Sequence, residues 1–168
     1  MTTLPRHIVP NPETDLVLTR DIDVPPTAVW AAWTEPERLM QWFTPRPWTT
    51  PECEIDLRPG GVFRTLMRGP AGEEGGGTGC ILEVLPNERL IWSGALGPDF
   101  RPNPKGDTAV DMVFTAIISM EAIEGGTRYT ATVMHADPAG AKQHAEMGFF
   151  EGWGTCLDQL VEYVKSQG

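Results

Sequence analysis

The feature that most limits what this chain can fold into is the position of its one long amphipathic helix, at the C-terminal end. From Ala139 to about Lys165, the residues Met147, Phe150, Trp153, Leu157, Leu160 and Val164 recur at steps of three and four, a spacing that gathers side chains on one helical face. Asp137-Pro138 supplies an N-cap and a first-turn proline. At 1.5 Å per residue the segment reaches roughly 40 Å, enough to cross a whole sheet. Gly140, Gly148, Gly152 and Gly154 interrupt it, each costing about 1 kcal/mol relative to alanine. Close backbone approach or room for a ligand would compensate; the alternative is that the N-terminal half bends or breaks. From Trp153 onward the helix is continuous on either reading.

Nearly everything before this helix reads as strand. Residues 1–14, with Pro5, Pro10 and Pro12, form an extended arm, and one domain covers 15–166. Asp15 to Val24 alternates, with Leu16, Leu18 and Ile22 opposed to polar neighbours, as a half-buried strand does. Pro25-Pro26 ends it and opens a short helix to Trp33. A second short helix, Pro36 to Trp42, follows a T-E-P-E capping box begun by Thr34. Strands are then expected at Glu52–Leu57, Val62–Arg68, Thr78–Leu85, Arg89–Leu96, Ala109–Ala122 and Thr127–Ala136. Pro59-Gly60 fits a type II turn, Gly75-Gly76-Gly77 and residues 97–107 read as loops, and Glu124-Gly125-Gly126 is a hairpin hinge.

Seven strands without crossover helices after the second helix predict an α+β chain with an antiparallel sheet. One long helix cannot cover both faces of a broad sheet. The sheet must curl around it, and the space between them becomes a pocket.

Four segments carry a resemblance. D-I-D-V-P-P-T-A-V-W (21–30), W-T-E-P-E-R-L-M-Q-W-F (33–43), D-L-R-P-G-G-V-F-R (56–64) and G-F-F-E-G-W-G-T-C-L-D-Q-L (148–160) occur in an order that resembles the SRPBCC superfamily. Within it the chain is similar to bacterial proteins related to the C-terminal domain of the activator of the ninety-kilodalton heat-shock protein's ATPase. The resemblance spans about residues 15–165. It implies the helix-grip fold of START-like and birch-pollen-allergen-like proteins, a curved antiparallel sheet of about seven strands wrapped around a long C-terminal helix. The functions it implies range over lipid carriers, hormone receptors, polyketide cyclases and co-chaperone domains.

Composition narrows these. A formal net charge of -10, with no compact Lys/Arg cluster, disfavours nucleic acid and anionic membranes as partners. No apolar run is long enough to cross a bilayer or to serve as a signal peptide, so a cytoplasmic location is expected. Cys53, Cys80 and Cys156 lack metal, redox or disulfide spacing and read as small buried hydrophobes. No nucleophile elbow, phosphate loop or zinc-helix motif is present, and no catalytic residue, metal or cofactor is assigned. His144 and Glu151 share a helical face but lack a third metal ligand.

The candidate pocket wall is aromatic: Trp33, Trp42, Phe43, Trp92, Phe114, Phe150 and Trp153, whose flat faces bury large areas and stack on rings or acyl chains. His135 follows the alternation of Tyr129, Ala131 and Val133, so its imidazole is a candidate to bind a carbonyl or move a proton. Arg64, on one strand face with Val62 and Leu66, is a candidate partner for a ligand carboxylate. The leading expectation is a binder or carrier of a small hydrophobic molecule. The alternatives are a cyclase, dehydratase or hydrolase acting on an aromatic or polyketide-like substrate, and a chaperone-interacting stress module. The arm and the edge strands offer surfaces for a homodimer.

Overall fold

A computed structural model describes residues 8–104 and 113–167. The first strand, β1 (Asp15–Ile22), is followed by two short helices, α1 (Pro26–Thr34) and α2 (Pro36–Leu39). Six further strands build the main sheet: β2 (Thr49–Ile55), β3 (Val62–Arg68), β4 (Glu74–Leu85), β5 (Arg89–Ser93), β8 (Phe114–Ile123) and β9 (Gly126–His135). Between β5 and β8, the two-residue strands β6 (Leu96–Gly97) and β7 (Arg101–Pro102) form a separate ribbon around a 3-10 turn at Pro98–Phe100. Two helices close the chain, α3 (Pro138–Glu146) and α4 (Phe149–Gln167).

The seven-stranded sheet runs β1-β9-β8-β5-β4-β3-β2, antiparallel throughout. Its first two strands in sequence therefore lie at opposite edges, and α1 and α2 bridge the gap between those edges. Helix α4 is tied to both sides of that gap. From β1, Arg20 reaches the Gly154 carbonyl (3.4 Å) and Asp158 (3.1 Å). On the other side, Gln159 is almost fully buried yet satisfied. Its amide donates to the Trp42 and Thr44 carbonyls (3.1 and 2.7 Å) and its oxygen accepts from the Arg46 backbone N–H (3.0 Å). An amide in that position fixes register, because losing any partner would strand a polar group in the core. The result is the helix-grip arrangement.

Five departures from the expected layout have local causes. The C-terminal helix is two helices, broken at Met147-Gly148 where Gly148 takes φ +95°. Asp137 caps the first of them, accepting from Gly140 N at 2.7 Å. Gly75–Gly77 are strand, not loop: they pair with Met67, Leu66 and Thr65 across the β3–β4 ladder. Helix α2 stops at Leu39, and Thr34 ends α1, its hydroxyl donating back to the Trp30 carbonyl instead of capping α2. Strand β2 begins three residues early, across a register shift between Thr49 and Glu52. Strand β5 stops at Ser93, short of the expected Leu96, which instead opens the separate ribbon. The expected start of β8 at Ala109 lies outside the described residues. The Pro59-Gly60 turn forms as read, with Gly60 at φ +86° and Gly61 N donating to the Arg58 carbonyl at 2.8 Å.

Along β9, Thr127, Tyr129, Ala131, Val133 and His135 all turn inward and are buried, while Arg128 faces out to Asp21 of β1. The core gathers Tyr129, Ala131 and Val133 with Leu18, Val29, Trp33, Leu39, Phe63, Ile118, Phe149, Leu157 and Leu160. That packing leaves one part of the space between sheet and helices unfilled.

Candidate functional site

Small residues on the walls create the chamber. Strand β4 contributes Gly76, Gly77 and Gly79, β5 is followed by Gly94, and α4 contributes Gly152. At Gly76 (φ +93°) a Cβ would lie 2.2 Å from the Thr65 carbonyl oxygen, so the ladder admits no side chain there. At Gly152 a Cβ would meet nothing within 4 Å. The cavity between these walls has a volume of about 330 Å³, within the range of small-molecule sites.

Aromatic rings line it as a continuous belt. Trp33 packs edge-on against Trp42 (5.0 Å) and Phe43 (5.8 Å), Phe43 meets Phe63 (6.2 Å), and Phe63 stacks on Trp92 at 4.5 Å and 19°. Trp92 leads to Phe114 (5.6 Å), and Phe114 contacts both Trp153 (6.0 Å) and the His144 ring (5.2 Å, 29°). Edge-to-face and offset pairs of this kind hold one another's orientation. The belt is therefore preformed.

Of the nine side chains singled out in the sequence, Trp33, Trp42, Phe43, Trp92, Phe114 and Trp153 line this cavity. The other three lie elsewhere. Arg64 projects from the opposite face of β3, beside Glu52 (3.6 Å) and Glu54 (3.8 Å), because Phe63, Thr65 and Met67 are the inward set. Phe150 is 48% exposed, since the helix restarts at Phe149 and turns that ring inward instead. His135 points inward but stops one layer behind the wall. Its Nδ1 is 2.9 Å from the Thr14 carbonyl and its Nε2 is 2.9 Å from His144 Nδ1. His144 takes the place at the wall. The signal for it was present: a histidine two turns after a capped helix start faces the end of the strand that precedes that helix.

Polar character is sparse. Among the described lining residues there is no Asp, Glu, Lys or Arg. Tyr129 accepts the Trp33 indole N–H at 3.2 Å, and burial raises its pKa, so it stays a neutral phenol. Burial also pushes the Cys156 thiol up to about 12, which removes the thiolate a nucleophile would need. Burial first, and the His135 ring second, lower His144 to about 4, keeping it neutral at pH 7. Among the described residues, Trp92 Nε1 is the one enclosed side-chain polar atom without a partner. No group of three or more His, Cys, Asp or Glu able to hold a metal occurs among them, and no helix is long and apolar enough to cross a membrane.

A curved antiparallel sheet gripping C-terminal helices around an aromatic-lined cavity defines a helix-grip α+β domain. A family model described as Activator of Hsp90 ATPase homolog 1-like protein matches residues 23–165, and the chain belongs to that family. Among solved structures, a protein from Nitrosomonas europaea is 46% identical with a TM-score of 0.88, over 94% of this chain and 97% of that one. A Rhodobacter sphaeroides protein is 25% identical (TM-score 0.80, 95% and 98% covered) and one from Mycobacterium smegmatis 27% identical (TM-score 0.73, 90% of each). No curated protein matches the chain.

Proposed function

We propose that this protein binds and carries a small, uncharged, apolar molecule within the aromatic chamber. The observation that supports it is the belt itself: a cavity of about 330 Å³ walled by indole and phenyl rings with no charged side chain among its described lining. A fold under selection only for stability would fill such a volume, because an unfilled cavity costs stability in proportion to its size. Gly152, where a Cβ would meet nothing within 4 Å, leaves part of that space open at a further cost in helix stability. Membership of a family named for ATPase activation is compatible with this reading, since the chamber needs no partner to exist. Cys156 and Tyr129, both kept protonated, supply no activated nucleophile in the wall.

The test is native mass spectrometry of the protein purified from cells. The expected result is a single non-covalent adduct of a small apolar molecule, lost on denaturation. A bare mass, together with no saturable uptake of any neutral aromatic probe, would overturn the proposal.

A further inference from the structure

Resting on the ligand-carrier reading, we propose that the chamber selects apolar molecules bearing a hydrogen-bond donor, a hydroxyl above all, directed at His144 Nε2, and rejects carboxylates. The Thr14 carbonyl can only accept, so His135 Nδ1, 2.9 Å away, carries hydrogen. One hydrogen then lies between His135 Nε2 and His144 Nδ1, also 2.9 Å apart.

If that hydrogen belonged to His135, the ring would be an imidazolium. His135 is 8% exposed, and the ion pairs among the described residues involve only Arg and Lys as cations. An unpaired buried cation is costly. The hydrogen therefore belongs to His144 Nδ1, and His144 Nε2 is left with a bare lone pair. Phe114, stacked 5.2 Å from the His144 ring, and Phe149, edge-on at 5.1 Å, hold the plane of that ring.

His144 Nε2 has no hydrogen-bond partner among the described residues, yet it is not among their enclosed unpartnered atoms. The space that His144 lines is the cavity, and the ligand's donor is directed to this lone pair. A neutral O–H meets an acceptor there. An ionised carboxylate would meet a lone pair, with no cation in the described wall to offset its desolvation.

The experiment compares 2-naphthol, 2-methoxynaphthalene and 2-naphthoate binding to the full chain at pH 7.5 by calorimetry. The naphthol should bind about tenfold more tightly than its methyl ether, as one hydrogen bond predicts, and the naphthoate most weakly. In His144→Phe the ratio of naphthol to ether affinity should fall to about one. Nitrogen-15 spectra of the wild-type histidines should show His144 protonated at Nδ1 and bare at Nε2, a readout that does not depend on the variant folding. Equal wild-type affinities for naphthol and ether, naphthoate binding as tightly as naphthol, an unchanged ratio in a folded His144→Phe, or an Nε2–H tautomer would each overturn this inference and leave the carrier reading standing. Failure of all three probes to bind saturably would overturn the carrier reading, and this inference with it.

Discussion

Replacing Gly152 with leucine should stabilise the protein and abolish its ligand binding at the same time. Gly152 is the fourth residue of α4, lines the chamber, and has open space where a Cβ would project. Leucine recovers about 0.8–1 kcal/mol of helix propensity. Burying its side chain is worth about 1.5–3 kcal/mol when complete, and roughly half that from a half-buried position. The sum is about 2 kcal/mol, or a rise in Tm of roughly 4–8 °C for a chain of this size. The same side chain takes up space in a cavity of only about 330 Å³, so affinity for a neutral aromatic probe should fall at least about tenfold. Thermal melts and probe titrations on one preparation read both effects. A lower Tm would mean that the space at Gly152 is not there. A raised Tm with unchanged affinity would place the ligand outside this chamber and refute the reasoning.

Three other outcomes follow from the same geometry. Gly76→Ala should cost about 2 kcal/mol or more in urea denaturation, because it forces a side chain into positive φ and onto the Thr65 carbonyl. Stability should fall as the pH drops from about 6.5 to about 4. Over that window the unfolded His144 binds a proton that the folded ring, with its pKa near 4 and set among His135, Phe114 and Phe149 of the described residues, does not. The loss should level off at about 1–2 kcal/mol, less than the full shift because solvent reaches a ring that lines the cavity, and urea midpoints at pH 7, 5 and 4 measure it. Arg64→Gln should leave probe affinity within about twofold and stability within about 1 kcal/mol, since its ion pairs are exposed and outside the cavity.

What could be read from the residues was whatever a local period encodes. The alternation of Tyr129, Ala131, Val133 and His135 placed one face of β9 correctly, because strand geometry repeats every two residues whatever the partner. The Asp137-Pro138 helix start was legible for the same reason. Non-local facts were not. Gly75–Gly77 look like a flexible loop until β3 is laid beside them, and the pairing leaves no mark within the glycines themselves. Phe150 shares a helical face with Leu157 within α4, but it sits in the first turn, where the ring buried against the core is that of Phe149; periodicity alone does not show where along a helix its burial begins. Arg64 was assigned with Val62 and Leu66, the correct alternation but the outer face; only the packing of Phe63, Thr65 and Met67 reveals which face is inner. His144 acquires its role from His135, nine residues earlier across a turn.

The aromatic chamber is tested most directly by the six indole N–H resonances of the tryptophans during titration with the neutral probe N-phenyl-1-naphthylamine. Trp33, Trp42, Trp92 and Trp153 line the cavity, whereas Trp30 and Trp48 do not. Saturable shifts in the first four signals, with the other two unmoved, are the predicted result. Shifts confined to Trp30 and Trp48, or no saturable shift in any of the six, would contradict it.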